Sequence, residues 1–186
     1  MRVIAGSRRS IPLATVQGKD VRPTTDRIKE TLFNMISGQI AGTRFLDLFS
    51  GTGQIGIEAL SRGAEEAVFV ENDRRSIRCI EANLQKTRFV DQAEIIGRDM
   101  TAALGILQRQ EPFDIIFLDP PYRMEGQEAL LQQLGKRHIL ARHGLLILEA
   151  DKDRTVDGQA VLPLVCTREK RYGTNQHLFF AYGDTE

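Results

Sequence analysis

Disulfide pairing, a membrane segment and a dominant charge are all missing from this chain. Its 186 residues include two cysteines, Cys79 and Cys166. They lie far apart and outside any paired spacing, which reads as reduced thiols in a cytoplasmic protein. The opening MRVIAGSRRSIPL lacks the apolar run of a secretory leader. No stretch approaches the roughly 20 apolar residues that span a bilayer. His138, His143 and His177 form no ligand spacing with the cysteines, so no metal is expected. Twenty-five basic residues balance 25 acidic ones. A global basic field for nucleic acid is therefore excluded, and any such surface must be local. There is no internal repeat and no low-complexity tract.

What remains is an ordinary globular composition, 41% apolar and 27% charged, long enough to bury a core without staples. The first 22 residues carry two short apolar runs, RVIA and IPLATV, separated by basic and turn residues. They predict a small β-hairpin. From Thr24 the pattern becomes helical, with Ile28, Leu32, Met35 and Ile36 on one face. The expected organisation is a hairpin extension over 1–22 and one α/β domain over 23–186.

Beyond residue 43, strand-like and helix-like segments alternate. RFLDLF, EAVFVE, AEIIGR, PFDIIFLD and GLLILEA read as strands. QIGIEALSRG, DRRSIRCIEANLQK, MTAALGILQR and EALLQQLGK read as the helices between them. Short, continuous apolar runs suit strands covered on both faces, and the alternation predicts a parallel, doubly wound sheet. The tail breaks this rhythm. AVLPLVCTREKRYGTNQHLFFAYG holds two strand-like runs around YGTNQ, a hairpin signal that would end the sheet in antiparallel strands.

The loop after the first strand, Gly51-Thr52-Gly53-Gln54-Ile55-Gly56, matches G-x-G-x-x-G. Such a turn brings backbone N–H groups and a helix N-terminus to a ligand, although glycines also serve strand–helix packing. Two features separate a dinucleotide from S-adenosylmethionine. Asp47 lies four residues before Gly51; it would repel a pyrophosphate but attract the ammonium of an amino acid. A dinucleotide site also uses the first strand of its domain, whereas here a hairpin and a helix come first. Glu71, twenty residues after Gly51, suits the ribose hydroxyls of either cofactor or could cap the next helix. Asp99 fits the adenine amine or a helix N-cap. The cofactor candidates are Thr24, Asp47, Phe49, Ser50, Gly51, Gly53, Gln54, Glu71, Asn72, Asp99 and Met100.

The fourth strand ends in FLDPPY, Phe117 to Tyr122. Two prolines fix φ and remove two donors, leaving the Asp119 carboxylate and the Pro120 carbonyl as acceptors beside the Tyr122 ring. A stiff turn would use the same letters. At the carboxyl end of a central strand, the set of Asp119, Pro120, Pro121 and Tyr122 suits the exocyclic amine of a flipped base. Hydrogen bonds to both N–H groups would favour a tetrahedral nitrogen and aim its lone pair at the sulfonium methyl, by positioning and preorganisation. Residues 1–29 carry a net charge of +5, from seven basic and two acidic residues. Arg2, Arg8, Arg9, Arg22 and Arg27 are RNA-contact candidates there, with a solvated edge as the alternative.

Taken together, RVIAGSRR, RPTTDRIKETLFNMI, LDLFSGTGQIGIEALSRGA, VENDRRSI, FLDPPY and KRYGTNQHLFFAY resemble, in order, the bacterial family of 16S ribosomal RNA (guanine-N2)-methyltransferases. These are class I S-adenosylmethionine-dependent enzymes. The resemblance covers nearly the whole chain. It implies a Rossmann-like, seven-stranded, mostly parallel sheet with helices on both faces and an N-terminal β-hairpin. It places Arg22, Pro23, Thr24 and Asp26 near the methionine end of the cofactor or the target base. It also implies 16S rRNA, within the small ribosomal subunit or an assembly intermediate, as substrate. The competing readings are an amine methyltransferase acting on adenine N6 or another RNA or DNA base, an NAD-dependent oxidoreductase, and a non-catalytic ribosome-assembly binder. A monomer is expected, since no extended apolar surface stands out.

Overall fold

The computed structural model describes residues 1–16, 26–121 and 124–183. The alternation seen in the sequence becomes α1 (Asp26–Met35), β1 (Arg44–Leu48), α2 (Gln54–Ser61), β2 (Glu66–Val70), α3 (Arg74–Thr87), β3 (Ala93–Ile96), α4 (Met100–Leu107), β4 (Phe113–Leu118), α5 (Gln127–Lys136), β5 (Leu140–Asp151), β6 (Leu164–Tyr172) and β7 (Asn175–Tyr182). The strands form one seven-stranded sheet in the order β3-β2-β1-β4-β5-β7-β6. β1 with β2, β2 with β3, and β4 with β5 run parallel. β7 runs antiparallel to both β5 and β6. The fold is therefore the Rossmann-like α/β class expected, closed by an antiparallel hairpin.

Two segments differ from expectation. β5 begins at Leu140 rather than at Gly144, and its register against β4 shifts between Phe113 and Ile115. The apolar run AVLP before β6 is a turn, because Pro163 has no N–H for a ladder and a fixed φ. By contacts the chain divides into two compact units, Met1–Asp99 and Met100–Glu186.

In the first unit, β1 and β2 are buried along nearly their whole length, as parallel strands covered on both faces must be. Phe33 of α1 stacks on Phe45 of β1 with centroids 6.4 Å apart. The N-terminal runs pair through one antiparallel bridge, Arg2 to Pro12, supported by Val3 N–H to Ile11 O at 3.0 Å and Ser10 N–H to Val3 O at 2.8 Å. Buried polar side chains of α2 and α3 fasten this segment down. The Glu58 carboxylate accepts the Ile4 and Ala5 N–H groups at 2.8 and 3.0 Å. Ser61 Oγ donates to Ala5 O at 2.6 Å and accepts from Arg8 N–H at 3.0 Å. Asn83 Oδ1 accepts from Ala14 N–H at 2.7 Å.

Glu58 lies among cations as well: Lys29 Nζ at 3.8 Å, itself donating to Arg2 O at 2.7 Å, and Arg62 Nε at 2.8 Å. Burial pulls the Lys29 ammonium below its ordinary range, while Glu58 and then Asp26 hold it up. The backbone comes closest at Gly6, where φ is +82° and a methyl group would sit 1.8 Å from Ser61 O.

In the second unit, Phe113, Phe117, Ile147 and Phe180 of β4, β5 and β7 are fully buried, as are Leu131 and Leu134 of α5. β6 and β7 are joined by Gly173-Thr174, with Tyr172 opposite Asn175. The positive φ of 53° at Gly173 alone is the pattern of a type II′ turn, which matches strand twist. The outer strand β6 is mostly exposed and carries TREKR, charges that discourage edge-to-edge pairing.

Gly6→Ala is expected to lower the unfolding free energy by at least ~2 kcal/mol, from left-handed strain plus the carbonyl clash. Gly38→Ala, where a methyl would meet nothing within 4 Å, is expected to stay within ~0.5 kcal/mol of the parent. Urea midpoints of the two variants check this; equal midpoints would contradict the close approach.

Candidate active site

The glycine loop of the first unit is built by backbone conformation and two carboxylates. Phe49, Gly51 and Gly53 all have positive φ, at 59°, 56° and 75°. This is a strained geometry for the phenylalanine, worth roughly 1–2 kcal/mol. Ser50 Oγ donates to Asp47 O at 2.6 Å and its N–H to Val70 O at 3.1 Å, holding the turn to the ends of β1 and β2. The glycines divide their work. A methyl on Gly56 would lie 2.4 Å from the Phe69 ring, so that glycine seats α2 on β2; one on Gly51 would touch nothing within 4 Å. Gly51 is the open position of the loop.

Asp47, 2% exposed, accepts the Gly56 N–H at 2.9 Å through Oδ2. It does the work of an N-cap side chain for α2, since the N-cap residue is Gly53. Gln54 Oε1 is buried with no partner among the described residues. An orphaned acceptor beside an open glycine fits a polar ligand with donors at this loop.

Glu71 follows β2. Its Oε2 accepts Gly51 N–H at 2.9 Å, and its Oε1 accepts the N–H groups of Asn72 and Asp73, each at 2.9 Å. It therefore bolts two loops together, and a diol would have to share these donors. The cap of α3 falls to Asp73, whose Oδ2 accepts from Ser76 N–H at 3.3 Å and Oγ–H at 3.0 Å. Asn72 and Asp99 are exposed at the ends of β2 and β3. Met100 opens α4 in the second unit.

In the second unit, Asp119 and Pro120 line a recess of about 440 Å³, together with Gln127, Glu149 and Arg154. This lies within the roughly 300–1,000 Å³ of small-ligand sites. Pro121 O accepts from Met124 N–H at 2.8 Å. Burial, and then the charge of Glu149, pushes the Asp119 carboxyl from the ordinary carboxylate range up to about 8. Asp119 also keeps surface open to water, which tempers the size of that displacement but not its sign. Glu149 is fixed by Asn175 Nδ2, which donates to it at 2.9 Å, and by His177 Nε2 at 3.3 Å. The His177 ring is fully buried among Phe117, Tyr172 and Phe179, with centroids 5.0–6.5 Å away.

The basic candidates fare differently. Arg8 turns inward: its Nε donates to Thr87 O at 2.7 Å and its guanidinium lies 5.2 Å from the Phe89 centroid. Arg9 and Arg27 are exposed. Arg2 is exposed too and pairs with Asp26 at 3.4 Å. Thr24, Arg22 and Tyr122 lie outside the described residues. Sequence reasoning did not single out Glu149, His177, Gln127 or Arg154. The one available signal was an acidic residue interrupting the apolar run LLILEA.

This strand order, with β7 entering antiparallel between β5 and β6 and a glycine loop after β1, defines a class I methyltransferase. The chain belongs to the family of ribosomal RNA small subunit methyltransferase D, whose sequence model, described as "Conserved hypothetical protein 95", matches residues 1–181. It is 40% identical over 174 residues to YlbH of Bacillus subtilis (strain 168), covering 93% of this chain and 94% of that one. It is 37% identical over 155 residues to "Ribosomal RNA small subunit methyltransferase D" of Haemophilus influenzae, covering 83% and 80%. The solved structure of YhhF from Escherichia coli superposes with a TM-score of 0.85 at 31% identity, covering 100% of this chain and 99% of that one.

A raised Asp119 pKa means that the folded protein holds a proton the unfolded chain has released. Between about pH 4 and about 8, stability therefore falls as pH rises. Asp119→Asn is expected to remove this component of the slope. Denaturant midpoints at pH 5, 6.5 and 8 check it; parallel slopes for the two proteins would refute the assignment.

Proposed function

We propose that this protein transfers a methyl group from S-adenosylmethionine to the exocyclic N2 of a guanine in 16S ribosomal RNA. It would act as a cytoplasmic monomer on the small subunit or its assembly intermediate. The observation that carries the reading is the Asp119–Pro120 acceptor pair at the carboxyl end of β4, lining a base-sized recess, in a chain of this family.

The acceptors do the chemistry by placement. An aryl amine is a poor nucleophile because its lone pair is delocalised into the ring. Accepting its two N–H groups at the Asp119 carboxylate and the Pro120 carbonyl favours a pyramidal nitrogen and fixes the direction of its lone pair. Tyr122 would stack on the base. S-adenosylmethionine, when bound, supplies an electrophilic methyl on a cationic sulfur. Asp47 would set a negative charge toward its ammonium, and Phe49, Ser50, Gly51 and Gly53 would offer backbone to it. Gln54 Oε1 would gain a donor. Glu71 and Asn72 would meet the ribose, Asp99 and Met100 the adenine, with Thr24 at the methionine end. Only ionised Asp119 accepts without competing as a donor, so its raised pKa implies turnover that increases with pH toward the alkaline side.

Labelled cofactor, undermethylated small subunits and nucleoside mass spectrometry test the reaction directly, with N2-methylguanosine as the expected product. Asp119→Ala should lower kcat at least ~100-fold while S-adenosylhomocysteine still binds. Undiminished methylation by that variant would remove Asp119 from the chemistry.

RNA engagement is assigned to the exposed arginines of the N-terminal region. Arg9→Glu with Arg27→Glu should weaken subunit binding and lower the salt-dependence slope by ~2, with cofactor affinity unchanged. An unchanged slope would return these residues to a solvated edge.

A further inference from the structure

The recess at Asp119 contains more polar specification than an amine alone requires. Gln127, the first residue of α5, lines it. Its side chain is 96% buried, since only 4% of the residue is exposed. Its Oε1 is sealed from water without a partner among the described residues. Arg154 lines the same recess. Its Nη2 is spent on Glu128, at 2.7 and 2.8 Å from the two carboxylate oxygens, but its Nε is buried and unpartnered among the described residues. The lining carries the carboxylates of Asp119, Glu149, Asp151 and Asp153 and the cations of Lys152 and Arg154; within it Gln127 Oε1 is the buried acceptor, and Arg154 Nε the buried donor, without a partner among the described residues.

The Watson–Crick edge of guanine reads donor, donor, acceptor: N2–H, N1–H and O6. Adenine places an amine donor beside the unprotonated N1, an acceptor. A purine held by its amine at Asp119 therefore presents N1–H to an acceptor if it is guanine, and a lone pair to that acceptor if it is adenine. We propose that Gln127 is a specificity-determining residue: its Oε1 accepts the N1–H of the target guanine, with Arg154 Nε serving O6. This rests on the reading of the recess as the base site. Adenine is rejected because it leaves the buried amide oxygen facing a lone pair. Polar mismatch of this kind discriminates more strongly than shape, by up to ~10⁴–10⁵-fold.

The test compares Gln127→Met, which keeps length but removes the acceptor, with Gln127→Glu, which keeps an oxygen acceptor in either protonation state. Labelled S-adenosylmethionine and undermethylated small subunits provide kcat/KM. S-adenosylhomocysteine affinity and the thermal midpoint report on the fold. The Met variant is expected to lose on the order of 10–100-fold in kcat/KM with affinity and midpoint unchanged, and the Glu variant to keep most of the activity. Wild-type kcat/KM in the Met variant, a parallel loss of midpoint and activity, or equal losses in both variants would overturn the role. Failure of the wild-type protein to form N2-methylguanosine is a separate result. It removes the base reading itself, and the Gln127 assignment with it.

Discussion

The buried carboxylate of Glu58 is the fixture on which the first unit's arrangement depends. It lies on α2, directly behind the glycine loop, and it is completely enclosed. A charge in that position survives only with full compensation. It finds two backbone N–H groups of the N-terminal segment, the Arg62 guanidinium and the Lys29 ammonium. Three stretches of chain that are distant in sequence are therefore committed to one point. The first residues are not a loose appendage pasted on a finished domain. Their backbone completes the solvation of a charge inside it, and Gly6 is what lets that backbone come close enough.

The same device recurs at the ends of the strands. Asp47 takes the Gly56 N–H, and Glu71 takes those of Gly51, Asn72 and Asp73. In each case a carboxylate does for the backbone what regular secondary structure cannot do at a loop or helix start. The loop is thereby held ready, with Phe49 kept at a positive φ that an isolated turn would relax. A ligand arriving there meets a preorganised surface, and little ordering entropy has to be supplied at binding.

Periodicity made the alternation of strands and helices legible, since covered strands and amphipathic helices write their burial into local sequence. The Gly173 turn was legible for the same reason: it is settled within a few residues. Glu58, Ser61 and Asn83 were not legible. Each looks like an ordinary polar residue on a helix, and its role depends on backbone some 50 to 70 residues away. Arg8 shows the converse. Its charge invited a role at the surface, whereas a free carbonyl at the end of α3 and the face of Phe89 drew it inward. The motif FLDPPY was readable as a set of acceptors. Its neighbours Glu149, Gln127 and Arg154 were not, because tertiary packing alone brings them to Asp119.

Buried polar atoms without partners among the described residues occur in both units, Gln54 Oε1 and Arg62 Nη2 in the first, and their placement bears on function. In the first, the buried carboxylates have donors at hydrogen-bond distance. In the second, Gln127 Oε1, Arg154 Nε, Gln176 Oε1 and His177 Nδ1 are all buried without partners among the described residues. Each such atom costs roughly 1–3 kcal/mol, against a net stability of about 5–15 kcal/mol for a whole domain. Two of the four belong to side chains that line the Asp119 recess, beside a carboxyl already held away from its ordinary protonation by burial and then by Glu149. A destabilising concentration of unmet hydrogen-bonding capacity at one opening is intelligible where a ligand with a matching polar edge completes it.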